Sequence, residues 1–267
     1  MRRALLLASS FVFLFPPAAS AHKMWVRPSE TVLAGPNPLI TVDAAISNDL
    51  FFFNHHALSL AGLVVTAPDG SNAPVENQAT LRYRSVFDVP LPQKGTYRIA
   101  VTTSTLLATW EEGGERRMWR GPKGDADAKL PADAQNLKIT ERLGRVETFA
   151  TNGNPTVESL KPTGKGIELV PVTHPNDLYA GESARFKFLV DGEPAAGLKV
   201  EIIRGGTRYR DSQQEIEATT DANGEFMVQW DEPGMYWLET TSKDDKVEFP
   251  RAESRTLGYT ATLEVLP

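Results

Sequence analysis

Short runs in which apolar and polar residues alternate fill most of this chain, and the clearest runs lie in its C-terminal half. Alternation places every second side chain on one face, which is typical of a half-buried strand. The runs are GIELVPV (166–172), ARFKFLV (184–190), GLKVEII (197–203), GEFMVQW (224–230), GMYWLET (234–240) and TLGYTATLEV (256–265). Asp, Asn, Pro and Gly form the turns VDGEP, TDANGE and DEPGM between them. About seven short strands at this spacing predict an antiparallel sandwich.

The N-terminal half shows the same pattern less clearly. Its runs are LITVDAAIS (39–47), LSLAGLVVTAPDG (58–70), TLRYRSVFDV (80–89), GTYRIAVTT (95–103) and LKITERLGRVETFAT (137–151). Residues 111–135 are polar, charged and rich in Gly, and we expect a long surface excursion there. The Pro- and Gly-bearing segment 152–166 is the expected linker. The predicted fold class is therefore all-β, with two antiparallel Ig-like or transthyretin-like β-sandwich domains at 22–155 and 166–267.

The first 21 residues have the features of a secretory signal peptide. Arg2 and Arg3 precede a nearly continuous apolar run at 4–15, two prolines follow it, and Ala19-Ser20-Ala21 matches the small-x-small cleavage pattern. The apolar run is shorter than the roughly 20 residues that a membrane span needs, and no later run approaches that length. We expect cleavage after Ala21, export to a bacterial periplasm, and no transmembrane anchor after cleavage.

Composition narrows the classes of partner. Removal of the 21-residue leader from 267 residues would leave 246, enough for two domains, and loss of Arg2 and Arg3 would move the formal charge from −6 to −8. An acidic chain of this kind argues against nucleic acid and anionic membranes as partners. The sequence contains no cysteine. Disulfides, thiolate metal sites and cysteine nucleophiles are therefore excluded.

Several motifs carry a family resemblance. They are AHKMWVRPS, APDG, GTYRIAV, GIELVPVTHPNDLYAGE, FLVDGEPAAGLKVEI, TTDANGEF and PGMYWLET, and together they cover most of the predicted mature chain. The chain resembles an exported bacterial family known as a domain of unknown function, whose relatives include periplasmic components of nickel and cobalt uptake systems. Its second half is similar to the transthyretin-like sandwiches attached to carboxypeptidases and adhesins. The resemblance implies an exported two-sandwich protein with a link to transition-metal handling, and it implies no established reaction.

The histidines are the strongest candidates for chemistry. Cleavage after Ala21 would make His22 the first residue, and its free α-amine and imidazole could chelate one metal ion. His55 and His56 could complete a three-nitrogen set, which suits Cu(II) or Ni(II), with Co as a further candidate. In an extended segment adjacent residues point to opposite faces, so we expect only one of the pair to meet His22. In the alternative interpretation, His22 is a frayed terminus and the pair is an ordinary polar turn.

Other nearby residues have secondary roles in this hypothesis. Asp49 and Asn54 could add oxygen ligands or orient an imidazole. Met24 could supply a soft sulfur ligand or pack beside Trp25. An isolated His174 in a loop is expected to be structural. The aromatic and charged segment TWEEGGERRMWRG (109–121) could cover a binding face, but we favour a role in tying down the surface excursion.

Three functions are compatible with these observations. The preferred one is a periplasmic accessory protein that binds Ni, Co or Cu through His22, His55 and His56, with a membrane transporter or receptor component as partner. The alternative is a non-metal module that binds a protein or glycan through a sandwich edge or the 111–135 segment. Copper-dependent oxidation comes third, since the sequence shows no substrate-binding face. No nucleophile elbow, phosphate loop or calcium loop is recognisable, so we expect no enzymatic activity and assign no catalytic residue.

Overall fold

The computed structural model describes residues 22–267, and the predicted signal peptide at 1–21 lies outside them. Strands dominate the regular structure, as the alternation predicts. Those of the N-terminal half are β1 (Lys23–Pro28), β2 (Val32–Leu33), β3 (Leu39–Ser47), β4 (His56–Ala57), β5 (Leu63–Thr66), β6 (Glu76–Thr80), β7 (Ser85–Pro90), β8 (Gly95–Glu112), β9 (Glu115–Gly121) and β10 (Gln135–Asn152).

The C-terminal half continues with eight further strands. They are β11 (Ile167–Pro171), β12 (Ser183–Val190), β13 (Glu193–Pro194), β14 (Lys199–Arg204), β15 (Ile216–Thr219), β16 (Glu225–Gln229), β17 (Gly234–Asp244) and β18 (Ser254–Val265). In the described part of the chain, helical structure is limited to one short helix, α1 (Ala126–Lys129), and the 3-10 turns Lys123–Asp125, Glu158–Leu160 and Thr207–Tyr209. Within residues 22–267, no helix has the length and apolar character needed to cross a membrane.

The strands form three sheets. The first has the order β1-β3-β7-β6, with β4 also paired to β3. The second has nine strands in the order β15-β14-β17-β18-β10-β8-β5, with β2 beside β10 and β9 beside β8. The third has the order β11-β12-β13, with β16 paired to β12. The all-β sandwich fold class is therefore confirmed.

The nine-stranded sheet belongs to both sandwiches. Strands β10 and β18 pair in parallel from Thr140↔Ser254 to Thr148↔Thr262, which joins the two halves of the chain. Leu143 and Leu257 pack into the C-terminal core, whereas Val146 of the same β10 strand packs into the N-terminal core. Because side chains alternate along a strand, the two cores lie on opposite faces of one sheet. The domain boundaries proposed from the sequence stay a prediction.

A buried ionic network lies where the halves meet. Glu147 on β10 accepts hydrogen bonds from Arg98 of β8 at 2.7 and 3.0 Å and from the hydroxyl of Tyr259 on β18. Arg145 approaches the same carboxylate at 3.4 Å. Burial opposes ionisation of Glu147, but the charges of Arg98 and Arg145 outweigh it and hold its pKa below the usual range. The ionised network thus ties strands of both halves together.

The 111–135 segment is more regular than the sequence suggested. Strand β8 runs on to Glu112, and β9 returns beside it with the pair Glu112↔Glu115. Gly113 and Gly114 form the two-residue turn, with φ of 60° and 81°, in the region that glycine adopts without strain. The segment is a β-hairpin followed by α1. Trp110 and Trp119 pack against a small core under it, which agrees with the predicted role in tying the segment down.

Two further regions differ from the alternation pattern. Residues 58–62 lie outside any strand, and Leu81–Arg84 form a turn closed by a 2.9 Å backbone hydrogen bond between β6 and β7. The expected linker is packed against the fold: Ser159 donates a 2.6 Å hydrogen bond to the carbonyl of Thr96, and Leu160 joins the C-terminal core. Both differences arise from tertiary contacts that local patterns do not report.

Candidate metal site around His22

Strand β3 brings the candidate histidines together because it has neighbours on both sides. Its Ile46 pairs with Met24 of β1 on one side and with His56 of β4 on the other. His22 immediately precedes β1, and His55 immediately precedes β4. Both residues therefore lie at the same end of the first sheet, although they are 33 positions apart in the sequence.

The three imidazole rings are in contact. The rings of His22 and His55 are stacked, with centroids 4.1 Å apart and planes 10° from parallel. The ring of His56 lies 4.5 Å from that of His55, tilted by 47°. All three residues are exposed. His55 thus meets His22 directly, as expected for one member of the pair, and His56 extends the cluster through its own contact with His55.

The lowered pKa of His55 favours a free nitrogen lone pair on this residue. Desolvation and the neighbouring His22 and His56 lower the pKa of His55, so its imidazole is neutral at neutral pH. The Nδ1 atom of His56 lies 2.9 Å from its acceptor, the carbonyl oxygen of Ala57. With Nδ1–H donating there, the Nε2 lone pair of a neutral His56 remains available to a ligand.

Asn54 braces the loop that carries His55. Its side-chain oxygen accepts hydrogen bonds from the Ser47 hydroxyl and, at 3.2 Å, from the backbone N–H of Asn48. Its amide donates to Asp49 at 2.6 Å. Of the two roles proposed for Asp49 and Asn54, the contacts show neither an oxygen ligand nor an imidazole partner. They show that both side chains fix the path of the loop.

An aromatic cluster packs the segments next to His22 and His55 against the C-terminal half of the chain. Trp25 packs with Phe51 and Phe53 at centroid distances of 5.6 and 6.2 Å, in a cluster that also includes Trp237. The indole N–H of Trp237 donates to the carbonyl of Met24 at 2.8 Å. The backbone next to His22 is therefore held by the nine-stranded sheet.

Met24 is half-buried and packs against the N-terminal core. It does not pack beside Trp25, the alternative considered from the sequence, because Trp25 points to the opposite face of β1 and belongs to a separate cluster. The candidate ligand atoms in the histidine cluster are therefore all nitrogens.

The described side chains do not by themselves form a complete metal site. Among residues 22–267, no group of three or more His, Asp or Glu side chains is arranged to hold a metal ion. Imidazole lone pairs lie in the ring plane, so the stacked rings of His22 and His55 must rotate before their nitrogens can share an ion. Both rings are exposed, which permits that rotation. The additional donor in the hypothesis is the α-amine, which would exist only in a chain that begins at His22.

His174 has a structural role. Its Nε2 lies 3.0 Å from the Thr96 hydroxyl and 3.2 Å from the carbonyl of Thr156, and its Nδ1 accepts the backbone N–H of Asn176 at 3.1 Å. These contacts fix the tautomer with the proton on Nε2. Burial lowers the pKa of His174. The residue ties the packed linker to β8, as expected for a structural histidine.

Sequence reasoning missed a set of arginine–phenylalanine stacks on the same loop. The guanidinium of Arg27 lies 5.6 Å from the ring centroid of Phe51, that of Arg208 lies 4.0 Å from Phe52, and that of Arg84 lies 4.7 Å from Phe53. The uninterrupted FFF run was the available signal. It could not identify the partners, because the three arginines come from distant parts of the chain.

This chain was compared with solved structures, with curated proteins and with protein-family models. Among solved structures, the D0-D1 domain of intimin is similar over 92% of this chain and 98% of its own, at 10% identity and a TM-score of 0.24. Trypsin-activated alpha-2-macroglobulin from Escherichia coli is similar over 92% of this chain but only 16% of its own, at 14% identity and a TM-score of 0.25. Scores this low transfer no conclusion to this chain. No curated protein is significantly similar in sequence.

A family model described as a domain of unknown function (DUF4198) matches residues 19–244. The match includes His22, His55 and His56 and reaches the last residue of β17. Nothing in these comparisons relates the chain to nickel or cobalt uptake, so that part of the resemblance stays a prediction. Because the family model covers most of the sequence, the chain belongs to the DUF4198 family.

Proposed function

We propose that this chain is an exported accessory protein that binds a transition-metal ion, Cu, Ni or Co, at His22 in the periplasm. Removal of residues 1–21 would expose the α-amine of His22, which would bind the ion together with its own imidazole. His55 would supply the next nitrogen and His56 a further one. The observation that supports this proposal is the direct stacking of His22 on His55, at 4.1 Å, across 33 positions of sequence.

Nitrogen donors account for the proposed choice of metal. Imidazole and amine nitrogens suit Cu and Ni, and affinity along the first-row series rises from Co(II) through Ni(II) to a maximum at Cu(II). The lowered pKa of His55 keeps its ring neutral, as a ligand must be. We expect binding to weaken as pH falls, because protons compete for every nitrogen in the set.

The exposure of the site supports a carrier role. All three histidines are open to solvent, so a second protein could reach a bound ion and remove it. The proposed recipient is a membrane transporter or receptor component. No enzymatic step is proposed, since the exposed cluster lacks a recognisable substrate cleft of its own.

The proposal is tested by calorimetric titration of the chain that begins at His22 with Cu(II), Ni(II) and Co(II). Mass spectrometry verifies the N-terminus of this chain. The control is the same chain with its α-amine acetylated, which keeps all three imidazoles but removes the amine nitrogen as a ligand. We expect one high-affinity site in the first chain and at least about a tenfold loss, or about 1.4 kcal/mol, in the second. Equal affinity of the two chains would refute the role of the amine.

A second candidate function has its own supporting observation. Strand β9 is paired to β8 alone and forms a free edge in the described part of the sheet. On this strand, 71% of the surface of Met118 is accessible to solvent, and Arg116 and Arg120 are also exposed. A free edge of this kind can accept a strand from another protein. This non-metal interaction module predicts that partner binding survives His22→Ala and is lost on Met118→Pro.

A further inference from the structure

We infer that a cavity between the Phe51–Phe53 loop and the turn after β14 binds a small organic anion that combines a carboxylate with a planar apolar body. The cavity has a volume of about 330 Å³ and lies between the two halves of the chain. This volume is at the lower end of the range for small-molecule sites. The inference is independent of the metal proposal, because none of the three candidate histidines lines the cavity.

Three arginines line this cavity in a chain that carries a net charge of −6. Arg204 is paired with Glu232. Arg27 lies 3.7 Å from Asp43, but Asp43 is nearer to Arg84, at 3.1 Å. Among residues 22–267, no carboxylate lies within 4.0 Å of Arg208 to form an ion pair. Of the three arginines that line the cavity, Arg208 is thus unpaired and Arg27 shares Asp43 with Arg84, which favours an anionic ligand.

The walls of the cavity are largely apolar. Phe51 and Phe52 form one side, and Met235 lies among the residues of the other. The guanidinium of Arg208 lies over the ring of Phe52, 4.0 Å from its centroid, and a guanidinium over an aromatic ring can still donate through its edge N–H groups to a planar acceptor. Guanidinium edges match carboxylates in a two-point fashion, while the phenylalanine faces favour a flat apolar body. The two features together point to an aromatic or similarly flat carboxylate.

The turn that carries Arg208 is braced by one backbone hydrogen bond and by the Arg210 side chain, which donates to three backbone carbonyls. Gly205 donates from its N–H to the carbonyl of Met235 at 2.7 Å, and a Cβ on Gly205 would lie 3.0 Å from Phe51. Arg210 donates to the carbonyls of Gly205 at 2.9 Å, Arg204 at 2.8 Å and Gln213 at 3.0 Å. A preformed wall reduces the entropy cost of binding. The cavity is thus a built feature of the fold.

The inference is tested by binding of phthalate to the metal-free full chain, monitored by NMR chemical-shift titration. Phthalamide serves as the neutral ligand of the same shape, and inorganic phosphate serves as the anion without a flat body. We expect saturable phthalate binding, with shifts at Gly205 and Gly206, and at least tenfold weaker binding of both comparison ligands. Phosphate binding as tightly as phthalate, or absence of saturable phthalate binding, would overturn the inference.

Two variants identify the residues responsible. Arg208→Gln removes the unpaired charge over Phe52, and we expect at least a tenfold loss of phthalate affinity. Arg82→Gln is the matched control, since Arg82 stacks on Tyr83 at 5.2 Å but lies outside the cavity. The control should bind like the unmodified chain. Equal affinities of the Arg208→Gln variant and the unmodified chain, or an equal loss in both variants, would contradict the assignment.

Discussion

Glu239 provides a test of the electrostatics at the interface between the first sheet and the nine-stranded sheet. It lies on β17 directly opposite Glu201 of β14, where two like charges oppose each other across the strands. Burial and the charge of Glu201 raise the pKa of Glu239 from 4.5 to about 7, while Lys23 of β1 acts in the opposite direction. Replacement by glutamine, Glu239→Gln, keeps the shape of the side chain and removes its ionisation.

The expected gain follows from the two pKa values. Each pH unit between the folded and unfolded pKa is worth about 1.4 kcal/mol, so a rise from 4.5 to about 7 corresponds to about 3.5 kcal/mol. Solvent screening of the partly exposed carboxyl reduces this to at most about 3 kcal/mol. The folded state holds the Glu239 proton more tightly than the unfolded state does. The penalty is therefore absent below about pH 4.5, grows as pH rises and is complete above about pH 7.

Urea unfolding of Glu239→Gln and the unmodified chain at pH 8 and at pH 4.5 measures this effect. We expect the variant to be more stable at pH 8 by up to about 3 kcal/mol, and the difference to shrink by most of that amount at pH 4.5. Glu217→Gln is the control, since Glu217 also faces Glu201 but is exposed, and surface changes stay within about 0.5 kcal/mol. A gain that does not change with pH would refute the ionisation account.

Two other predictions follow from the buried polar groups. Glu147→Ala would leave the buried Arg98 without its carboxylate, and we expect a loss of about 3–5 kcal/mol in urea unfolding at pH 7. A loss below about 1 kcal/mol would show that the pair is not a structural tie. Burial lowers the pKa of His174, so stability should fall as pH drops below about 6.5, and His174→Gln should reduce this dependence. Thermal unfolding at pH 7.5 and pH 5.5 measures it, and an unchanged dependence in the variant would contradict the contacts described for His174.

Local patterns predicted the strands well where one face is buried and the other exposed. The run LITVDAAIS matches β3 from Leu39 to Ser47, and ARFKFLV falls within β12. The parallel pairing of β10 with β18 could not be predicted, since it joins residues more than 100 positions apart and leaves no local signature. The β8–β9 hairpin did have one: Gly-Gly between two charged strands is a turn signal that the high polarity of the segment obscured.

The residues of the candidate site could be predicted from the sequence, but their arrangement in space could not. The position of His22 after a cleavage pattern and the adjacency of His55 and His56 are visible in the sequence. Their proximity depends on β3 accepting β1 on one side and β4 on the other, which is a tertiary pairing. The arginines that stack on Phe51 to Phe53 come from β1, from the β6–β7 turn and from the turn after β14. No sequence spacing relates those three positions.

We propose that His22, once it is the first residue, binds a metal ion together with His55. Electron paramagnetic resonance of the Cu(II)-loaded chain beginning at His22, in unmodified form and as His55→Ala, tests this pairing, because nitrogen hyperfine structure reports the donors. We expect coupling to at least three nitrogens in the unmodified chain and the loss of one in His55→Ala. A spectrum that is identical in the two chains, or one without nitrogen coupling, would contradict it.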